Sequence, residues 1–481
     1  MSVLENLEPK EVFHFFEEIC NIPHGSRNLE QISAYLVSFA KERNLEVICD
    51  DALNVIIKAP GSKGYEDKEP VILQGHMDMV AVKEDDCDID MAKEGLRVKT
   101  DGEYIWADGT SLGGDDGIAV AYILALLDSN DIPHPPIEAV ITTNEEIGML
   151  GATELDLSML KGRKMINIDN EKEGEFITSC AGGGTFYSEI AIKREKVSGI
   201  KCKIEIAGLK GGHSGEMIRH GRGNADILCA RTMLEAMDEA ELHIVDFNGG
   251  FADNAIPFAS MATVIIPEKD IEKVRESVAQ TQENVKGELD IKDPDVSISF
   301  TEVGKAEEDC IDKESAGKFL KMIISMPNGV LAMSAAIEGL VETSVNIGIV
   351  KTTEDMAQTV QSLRSSVGSS KEMLIRKLET VAEAFGAKTY ITGEYPGWKY
   401  RRTSELRDHM VAVYKELYGK EPVLQAIHAG LECGIISNKI EDLDCISIGP
   451  DMDDIHSAKE KLSVQSAKNV WEYLKAVLEK F

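Results

Sequence analysis

The stretch PVILQGHMD, residues 70–78, is a short apolar run that ends in Gly-His-Met-Asp. An apolar run of this length next to glycine is typical of a buried β-strand. Similar runs occur on both sides of it, and a helical segment, 116–128, lies among them. These runs cover 45–49, 53–58, 137–143 and 164–168. Strands that alternate with helices predict an α/β fold, in which flanking helices cover a mixed, largely parallel sheet.

One long segment interrupts this α/β pattern. Residues 1–185 and 397–481 share the pattern, and we predict that they form one domain in two parts. Residues 186–396 alternate strand-like and helical runs, including a predicted helix over 354–366, and are predicted to form an inserted α+β domain. The insertion is long enough for two small α+β halves, although no convincing sequence repeat relates them.

The charge balance excludes several classes of partner. The chain has 84 Asp and Glu against 51 Lys and Arg, a formal net charge of −33. Such a surface repels phosphate groups, so we expect no binding to nucleic acid or to anionic membranes. The 9 cysteines are scattered, without a CxxC pair, and no secretory signal is visible. These features favour a cytoplasmic protein with reduced thiols.

Acids and histidines cluster in five short stretches at turn-like places, most of them at predicted strand ends. The stretches are GHMD (75–78), DGTSLGGDDG (108–117), TNEEIG (143–148), NIDN (167–170) and DIHS (454–457). Ligands of open α/β sheets bind beyond the carboxyl ends of the strands, so these side chains are expected to meet there. Each stretch alone is weak evidence, because single histidines and paired acids are commonly structural or solvated.

Together these stretches supply two imidazoles and three carboxylates. The residues are His76, Asp115, Glu146, Asp169 and His456. This mixture of nitrogen and oxygen donors suits zinc, with cobalt or manganese as alternatives. Two such ions about 3.5–4 Å apart share a carboxylate and polarise one water between them. The sequence therefore predicts a site for two divalent metal ions.

The spacing within two of the stretches suggests further roles. Asp78 follows His76 by two positions, so in extended backbone both point the same way and Asp78 can accept the second ring N–H. Glu145 and Glu146 are successive and point to opposite sides, so that one can bind metal while its neighbour handles a proton. Either residue of the adjacent pair at 115 and 116 could provide the shared carboxylate.

The order of the motifs resembles that of the co-catalytic zinc aminopeptidase and carboxypeptidase family. The motifs are GHMDMV (75–80), DGTSLGGDDGIA (108–119), TTNEEIGMLGA (142–152), NIDNEKEGE (167–175), GLKGGHSG (208–215) and DDIHS (453–457). With GRGNA (221–225) and HAGLECG (428–434), the chain is most similar to the branch that hydrolyses Xaa-His dipeptides. The resemblance covers essentially the whole chain.

The resemblance implies a complete ligand set for the two metals. It implies that Asp115 bridges them, because the family's bridging aspartate precedes a cis peptide bond. It further implies that His76 and Asp169 complete the coordination of one metal, and that Glu146 and His456 complete that of the other. No ligand position in the chain is occupied by a residue unable to bind metal.

The resemblance also implies roles in catalysis. Glu145 resembles the general base, and Asp78 resembles the residue that supports the histidine ligand. The inserted domain, 186–396, resembles a lid, and its His213 resembles the histidine that donates a hydrogen bond to the substrate carbonyl. The rest of the chain then corresponds to the catalytic domain.

Substrate contacts are implied for three more residues. Asn254 and Arg364 resemble lid residues near the substrate. Glu432 either holds the substrate amine or braces its own loop, and the sequence leaves both roles open. The expected partner is a small peptide, and the chain is expected to be a monomer or a homodimer.

The function implied is a metal-dependent dipeptidase for Xaa-His and related dipeptides of the β-Ala-His type. The reaction would use a water that bridges two metal ions, with Glu145 as general base. The same metal centre would serve an aminotripeptidase or an N-acyl-amino-acid hydrolase, which are the enzymatic alternatives. A non-enzymatic metal- or peptide-binding protein would need the ligands but not Glu145, Asp78 or His213.

Overall fold

A computed structural model describes residues 2–481, which divide into two compact units. The first unit runs to Cys180 and continues through Trp398–Ile427 and Leu431–Phe481. The second unit consists of Ala181–Gly397 together with His428–Gly430. The return of the chain to the second unit at His428 was not among the sequence-based expectations, which place all of 397–481 in one domain.

The helices and strands are numbered in chain order. The helices are α1 Lys10–Cys20, α2 Glu30–Glu42, α3 Gly114–Asp128, α4 Leu150–Glu154, α5 Ala225–Glu239, α6 Ile271–Leu289, α7 Lys313–Ser325, α8 Gly368–Ala384, α9 Glu405–Tyr418, α10 Glu432–Lys439 and α11 Val464–Glu479. The strands are β1 Glu46–Cys49, β2 Val55–Ala59, β3 Val71–His76, β4 Val98–Thr100, β5 Tyr104–Ala107, β6 Ile137–Thr142, β7 Lys164–Asn167, β8 Glu175–Cys180, β9 Gly182–Ala191, β10 Arg194–Ala207, β11 Gly212–His213, β12 His243–Gly249, β13 Ala255–Ile256, β14 Ser260–Ile266, β15 Ser297–Ile311, β16 Gly329–Met333, β17 Val341–Thr352, β18 Met356–Ser365, β19 Lys388–Tyr395, β20 Val423–Ile427, β21 Asp444–Ser447, β22 Met452–Asp453 and β23 Lys461–Ser463.

The first unit is built on a mixed sheet with the order β1-β2-β6-β3-β7-β21-β8-β20. The central strands β6, β3, β7 and β21 run parallel to one another, as do β8 and β20. The remaining pairs are antiparallel. The predicted α/β fold with a mixed sheet is therefore confirmed. Parallel central strands bring their carboxyl ends to one edge, where ligands of such sheets bind.

Alternate residues of these strands enter two different cores. Leu73 belongs to the core that α1, α2, α3, α9 and α11 form on one face of the sheet. Ile72 belongs to a smaller core on the other face, with residues of α10 and of 155–160. Both faces of the sheet are thus covered, which explains why the strands are continuous apolar runs rather than alternating ones.

Helix α3 is buried along nearly its whole length. Its N-terminal residues Asp115 and Asp116 have non-helical backbone angles, and Gly113 before them adopts a left-handed φ of 69°. The helix approaches β3 closely at Gly75, where an added Cβ would lie 2.6 Å from Asp116 Oδ2 and 2.7 Å from Ala119 Cβ. Glycine at 75 therefore lets the start of α3 lie against the end of β3.

The second unit contains an antiparallel sheet with the order β15-β10-β14-β12-β17-β18-β9-β19, and β16 pairs with β17. Helices α5 to α8 cover it around a separate core. The predicted helix over 354–366 is wrong, because this segment forms β18 between β17 and β9. Its Met, Ala, Gln and Leu residues favour a helix locally, but two neighbouring strands satisfy its backbone and bury Leu363.

Among residues 2–481, no helix has the length and apolar character that crossing a lipid bilayer requires.

Candidate metal centre

The predicted ligands of the first unit lie at the carboxyl edge of the parallel strands. His76 is the last residue of β3 and is in register with Thr142 at the end of β6. Glu146 follows β6, and Asp169 follows β7. Two further loops complete the group: the start of α3 provides Asp115, and the loop before β23 provides His456.

Asp115 lies between the two histidines and uses a different oxygen toward each. Its Oδ1 is 3.1 Å from His76 Nε2, and its Oδ2 is 3.2 Å from His456 Nε2. The peptide bond between Asp115 and Asp116 is cis. Asp116 Oδ2 accepts the backbone N–H of His76 at 3.2 Å, so this second aspartate is bound to β3.

Each histidine has a further carboxylate beside it. Asp169 Oδ1 is 3.6 Å from His76 Nε2, and Glu146 Oε2 is 2.9 Å from His456 Nε2. The structure therefore brings all five predicted ligands together around Asp115. Ligand atoms of His76, Asp115 and Glu146 lie within 4.8 Å of one another, as do those of His76, Asp116 and Asp169. Imidazole nitrogens and carboxylate oxygens at these separations could hold a borderline divalent cation.

The acidic side chains of this cluster stabilise positive charge on the two histidines. Burial disfavours a charged His76, but hydrogen bonds to Asp115, Asp169 and Asp78 raise its pKa well above the ordinary value. Hydrogen bonds to Asp115 and Glu146 raise the pKa of His456 to about 11. Burial alone would raise the pKa of Asp115, yet its hydrogen bonds to the two histidines hold it well below its usual range. A group of acids this dense requires either protons or cations.

Asp78 contacts the ring of His76 through both its backbone carbonyl and its carboxylate. The ring atom Nδ1 of His76 is 2.9 Å from the backbone carbonyl oxygen of Asp78 and 3.6 Å from its carboxylate Oδ1. The carboxylate of Asp78 also accepts the hydroxyl of Ser26 at 2.8 Å and the backbone N–H groups of Glu145 and Glu146 at 3.0 and 3.4 Å. The carbonyl oxygen thus lies closer to the ring than the carboxylate does, and the carboxylate also holds the loop of adjacent glutamates.

Glu145 lies in a crowded acidic environment. Burial raises its pKa well above the ordinary value, and the nearby Asp169, Glu432 and Glu146 add to the effect, while His76 opposes it. A carboxyl group with a raised pKa holds a proton more readily near neutral pH, which suits proton transfer. Glu146, its neighbour, faces His456.

Glu432 is fully buried in the network beneath the strand ends. Its Oε2 accepts the hydroxyl of Thr142 at 2.5 Å and the side-chain amide of Gln74 at 2.6 Å. Gln74 Oε1 in turn accepts the amide of Asn167 at 2.6 Å. Burial raises the pKa of Glu432 to about 8. The sequence left open whether Glu432 holds the substrate amine or braces its own loop; in the structure its carboxylate is bonded to residues near the ends of β3 and β6.

The other predicted substrate residues belong to the second unit. His213 is half-buried in β11, and the backbone N–H of the next residue, Ser214, donates to the carbonyl of Asn254 at 2.7 Å. Asn254 itself is exposed. Arg364 is buried on β18, where its guanidinium donates to the hydroxyl of Tyr395 at 3.4 Å.

His428 joins this group and was missed by the sequence analysis. It is buried, and its Nε2 is 2.7 Å from the hydroxyl of Ser344. Burial, and then the nearby charge of Arg364, lowers the pKa of His428 to about 3. The same two causes lower the pKa of His213. The imidazoles of His213 and His428 thus lie near the guanidinium of Arg364. No ion pair to Arg364 occurs among residues 2–481. The motif HAGLECG was noted, but nothing in it distinguished its histidine.

Comparisons of the sequence and of the structure with known proteins agree with each other. Residues 72–480 match the peptidase family M20/M25/M40. The chain is 37% identical to the cytosol non-specific dipeptidase of Escherichia coli (strain K12) over 481 residues. The alignment covers 100% of this chain and 99% of that protein. The crystal structure of aminoacylhistidine dipeptidase from Vibrio alginolyticus matches with a TM-score of 0.94 at 37% identity, over 99% of this chain and 98% of that one. Aminopeptidase PepT from Bacillus cereus, at 16% identity and a TM-score of 0.57 over 98% and 99% of the two chains, shares the fold.

Proposed function

The chain belongs to peptidase family M20/M25/M40, and from this we propose that it is a metal-dependent dipeptidase for Xaa-His and related dipeptides. The observation that carries the proposal is the position of Asp115, whose two oxygens face His76 and His456 at 3.1 and 3.2 Å. A carboxylate with one imidazole on each side is a donor pattern that two adjacent divalent cations can share.

We assign the ligands as two sets that share Asp115. His76 and Asp169 belong to one set, and Glu146 and His456 belong to the other. Zinc is the ion that this donor set suits best, with cobalt or manganese as alternatives. Such ions, when bound, polarise a peptide carbonyl and make water more acidic.

Glu145 is the general base in this proposal. It takes a proton from the attacking water and returns it to the amine that leaves when the peptide bond breaks. Burial and the neighbouring acids raise the pKa of Glu145, which favours retention of the proton between these two steps. Asp78 keeps Glu145 in place through the backbone N–H that its carboxylate accepts.

Further roles are proposed for residues of the second unit by their resemblance to the family. His213 donates a hydrogen bond to the carbonyl under attack, where negative charge develops in the transition state. Arg364 binds the terminal carboxylate of the dipeptide, with Asn254 contacting the substrate nearby. The buried guanidinium and the neutral imidazole of His428 support this role, because a buried cation without an acidic partner is expected to pair with an anion.

The substrate class rests on the names of the two full-length relatives, which are a non-specific dipeptidase and an aminoacylhistidine dipeptidase. Both act on dipeptides by name, whereas the aminotripeptidase alternative has support from fold alone. The name of the Escherichia coli relative, together with nine free thiols in the present chain, also supports a cytoplasmic location. A monomer or a homodimer remains the expected assembly.

A substrate panel tests the proposal. The zinc-loaded protein is incubated with β-alanyl-histidine, other Xaa-His dipeptides, Gly-Gly-His and N-acetyl-histidine at equal concentrations, and the released amino acids are quantified. The dipeptides should give the highest kcat/KM. Faster cleavage of Gly-Gly-His would indicate an aminotripeptidase, and faster cleavage of N-acetyl-histidine would indicate an N-acyl-amino-acid hydrolase.

A further inference from the structure

One short segment, residues 456–460, contacts the loop that carries Asp115 at two places. His456, at the start of the segment, lies against the carboxylate of Asp115. Glu460, at its end, directs a buried carboxylate toward the backbone of the same loop. Strand β23 follows directly and fixes the segment, since its buried Leu462 pairs with Ile105 of β5.

The carboxylate of Glu460 accepts backbone N–H groups from four consecutive residues at the start of α3. Oε2 accepts those of Leu112 and Gly113 at 2.8 and 3.1 Å. Oε1 accepts those of Gly114 and Asp115 at 2.8 and 3.4 Å. Because backbone donors of four consecutive residues converge on this one carboxylate, the contact fixes the path of the loop.

The path of this loop decides where the Asp115 side chain points. Gly113 has a left-handed φ of 69°, which glycine adopts without strain. An added Cβ at Gly114 would lie only 3.2 Å from Glu460 Oε1, so glycine there leaves room for the carboxylate. The next residue, Asp115, projects between His76 and His456 with one oxygen toward each.

We infer that Glu460 is a positioning residue of the metal centre, which holds the 112–115 loop so that Asp115 can serve both metal ions. The inference rests on the proposed function, in which Asp115 is the shared ligand. Contacts that orient a metal ligand typically change metal affinity by about 10–100-fold when they are removed. Because Asp115 belongs to both sets, loss of Glu460 should weaken the binding of both ions.

A purely structural role needs a matched control, because a carboxylate at a helix N-terminus also stabilises the helix. Glu138 provides this control. It is buried in β6, and its carboxylate accepts the backbone N–H groups of Lys161 and Gly162 at 3.0 and 2.8 Å. It lies near the start of β6, whereas the ligands lie beyond the carboxyl end of that strand. Glu138→Gln therefore disrupts a comparable contact without touching the Asp115 loop.

The experiment measures zinc affinity of the wild type, Glu460→Gln and Glu138→Gln by competition with a chromophoric chelator, beside thermal unfolding of each metal-free protein. Gln is nearly isosteric with Glu but replaces one acceptor oxygen by an N–H₂ donor. In Glu460→Gln this donor would face backbone N–H groups, which cannot accept a hydrogen bond. We expect both variants to unfold at lower temperature and only Glu460→Gln to bind both zinc ions about 10–100-fold more weakly. Excess zinc should then restore its activity.

If Glu460→Gln binds zinc as tightly as the wild type does, the positioning role is overturned, even if the variant is less stable. Equal losses of affinity in both variants would also overturn it, because the effect would then be general. If Glu460→Gln does not fold, Glu460→Asp replaces it with the same expectation, since the shorter carboxylate cannot reach all four N–H groups. A wild type that binds no divalent ion would instead overturn the proposed metal centre itself.

Discussion

The carboxylate of Asp78 accepts the backbone N–H of Glu145 at 3.0 Å. The same residue orients His76 through its backbone carbonyl oxygen, which lies 2.9 Å from the ring Nδ1. Asp78 thus connects a predicted metal ligand at the end of β3 to the predicted general base in the loop after β6. We propose that Asp78 fixes the distance between these two residues and does not itself react.

Asp78→Asn tests this connection. An asparagine keeps the shape and the backbone carbonyl but has one acceptor oxygen, so the glutamate loop loses part of its support. We expect kcat to fall by about 10–100-fold, with a smaller change in KM. Ser26→Ala, which removes only one of the donors to Asp78, should have a weaker effect. An Asp78→Asn variant with wild-type kcat would show that the connection is not needed.

Removal of metal should abolish hydrolysis, because three carboxylates and two imidazoles at the site require cations to act on the peptide carbonyl. Activity is measured after dialysis against a chelator and again after addition of single metals. Zinc, cobalt or manganese should restore it, whereas calcium should not, because it prefers an all-oxygen ligand set. Full activity in protein shown by elemental analysis to be metal-free would contradict the assignment.

His213→Ala should keep both metals and lower kcat by about 10²–10³, the usual loss for one donor that stabilises an oxyanion. The residue belongs to the second unit, so no metal ligand is altered. His220→Ala is the matched control, because His220 is an exposed histidine nearby in sequence. The kcat of both variants is compared at saturating substrate and zinc. A His213→Ala variant that matches His220→Ala would exclude the proposed hydrogen bond to the substrate.

A pH-dependent effect on stability is expected from Asp226, which is buried in the first turn of α5. Burial raises its folded-state pKa to about 7, well above the unfolded value of about 3.9. The folded protein therefore binds this proton more tightly, so the contribution of Asp226 to the free energy of unfolding falls as pH rises from about 4 to about 7. Asp226→Asn has no ionisable carboxyl group at this position, so its free energy of unfolding should lack this pH-dependent fall.

Thermal unfolding of wild type and Asp226→Asn between pH 5 and pH 8 measures the effect. The Tm of Asp226→Asn minus the Tm of the wild type should increase with pH and level off above about pH 7. A difference that does not change with pH would show that Asp226 stays ionised in the folded protein.

The sequence predicted those parts of the site that depend on local signals. Apolar runs located the strands, and His76 and Asp169 could be placed because they follow strand ends that a parallel sheet brings together. The resemblance pointed to Asp115 rather than Asp116 through the cis peptide bond, which the structure contains.

Contacts between distant segments could not be predicted in the same way. Ser26 and Asp78 are 52 positions apart, and Glu460 and Asp115 are 345 apart. Ser and Glu are common residues, and nothing local distinguishes those that accept or donate across the fold. The strand β18 was predicted as a helix because local propensity favoured a helix there, whereas its neighbours in the sheet decide its structure.

The central claim is that the adjacent glutamates divide the work between metal binding and proton transfer. The most direct measurement is the metal content and kcat of purified Glu145→Gln and Glu146→Gln. Glu145→Gln should keep two metals per chain while kcat falls by at least about 10²–10⁴, the scale of general acid–base catalysis. Glu146→Gln should lose or weaken one metal, because its carboxylate faces His456. If Glu145→Gln loses metal while Glu146→Gln retains it, the roles are reversed, and if both variants keep metal and activity, the proposed mechanism is wrong.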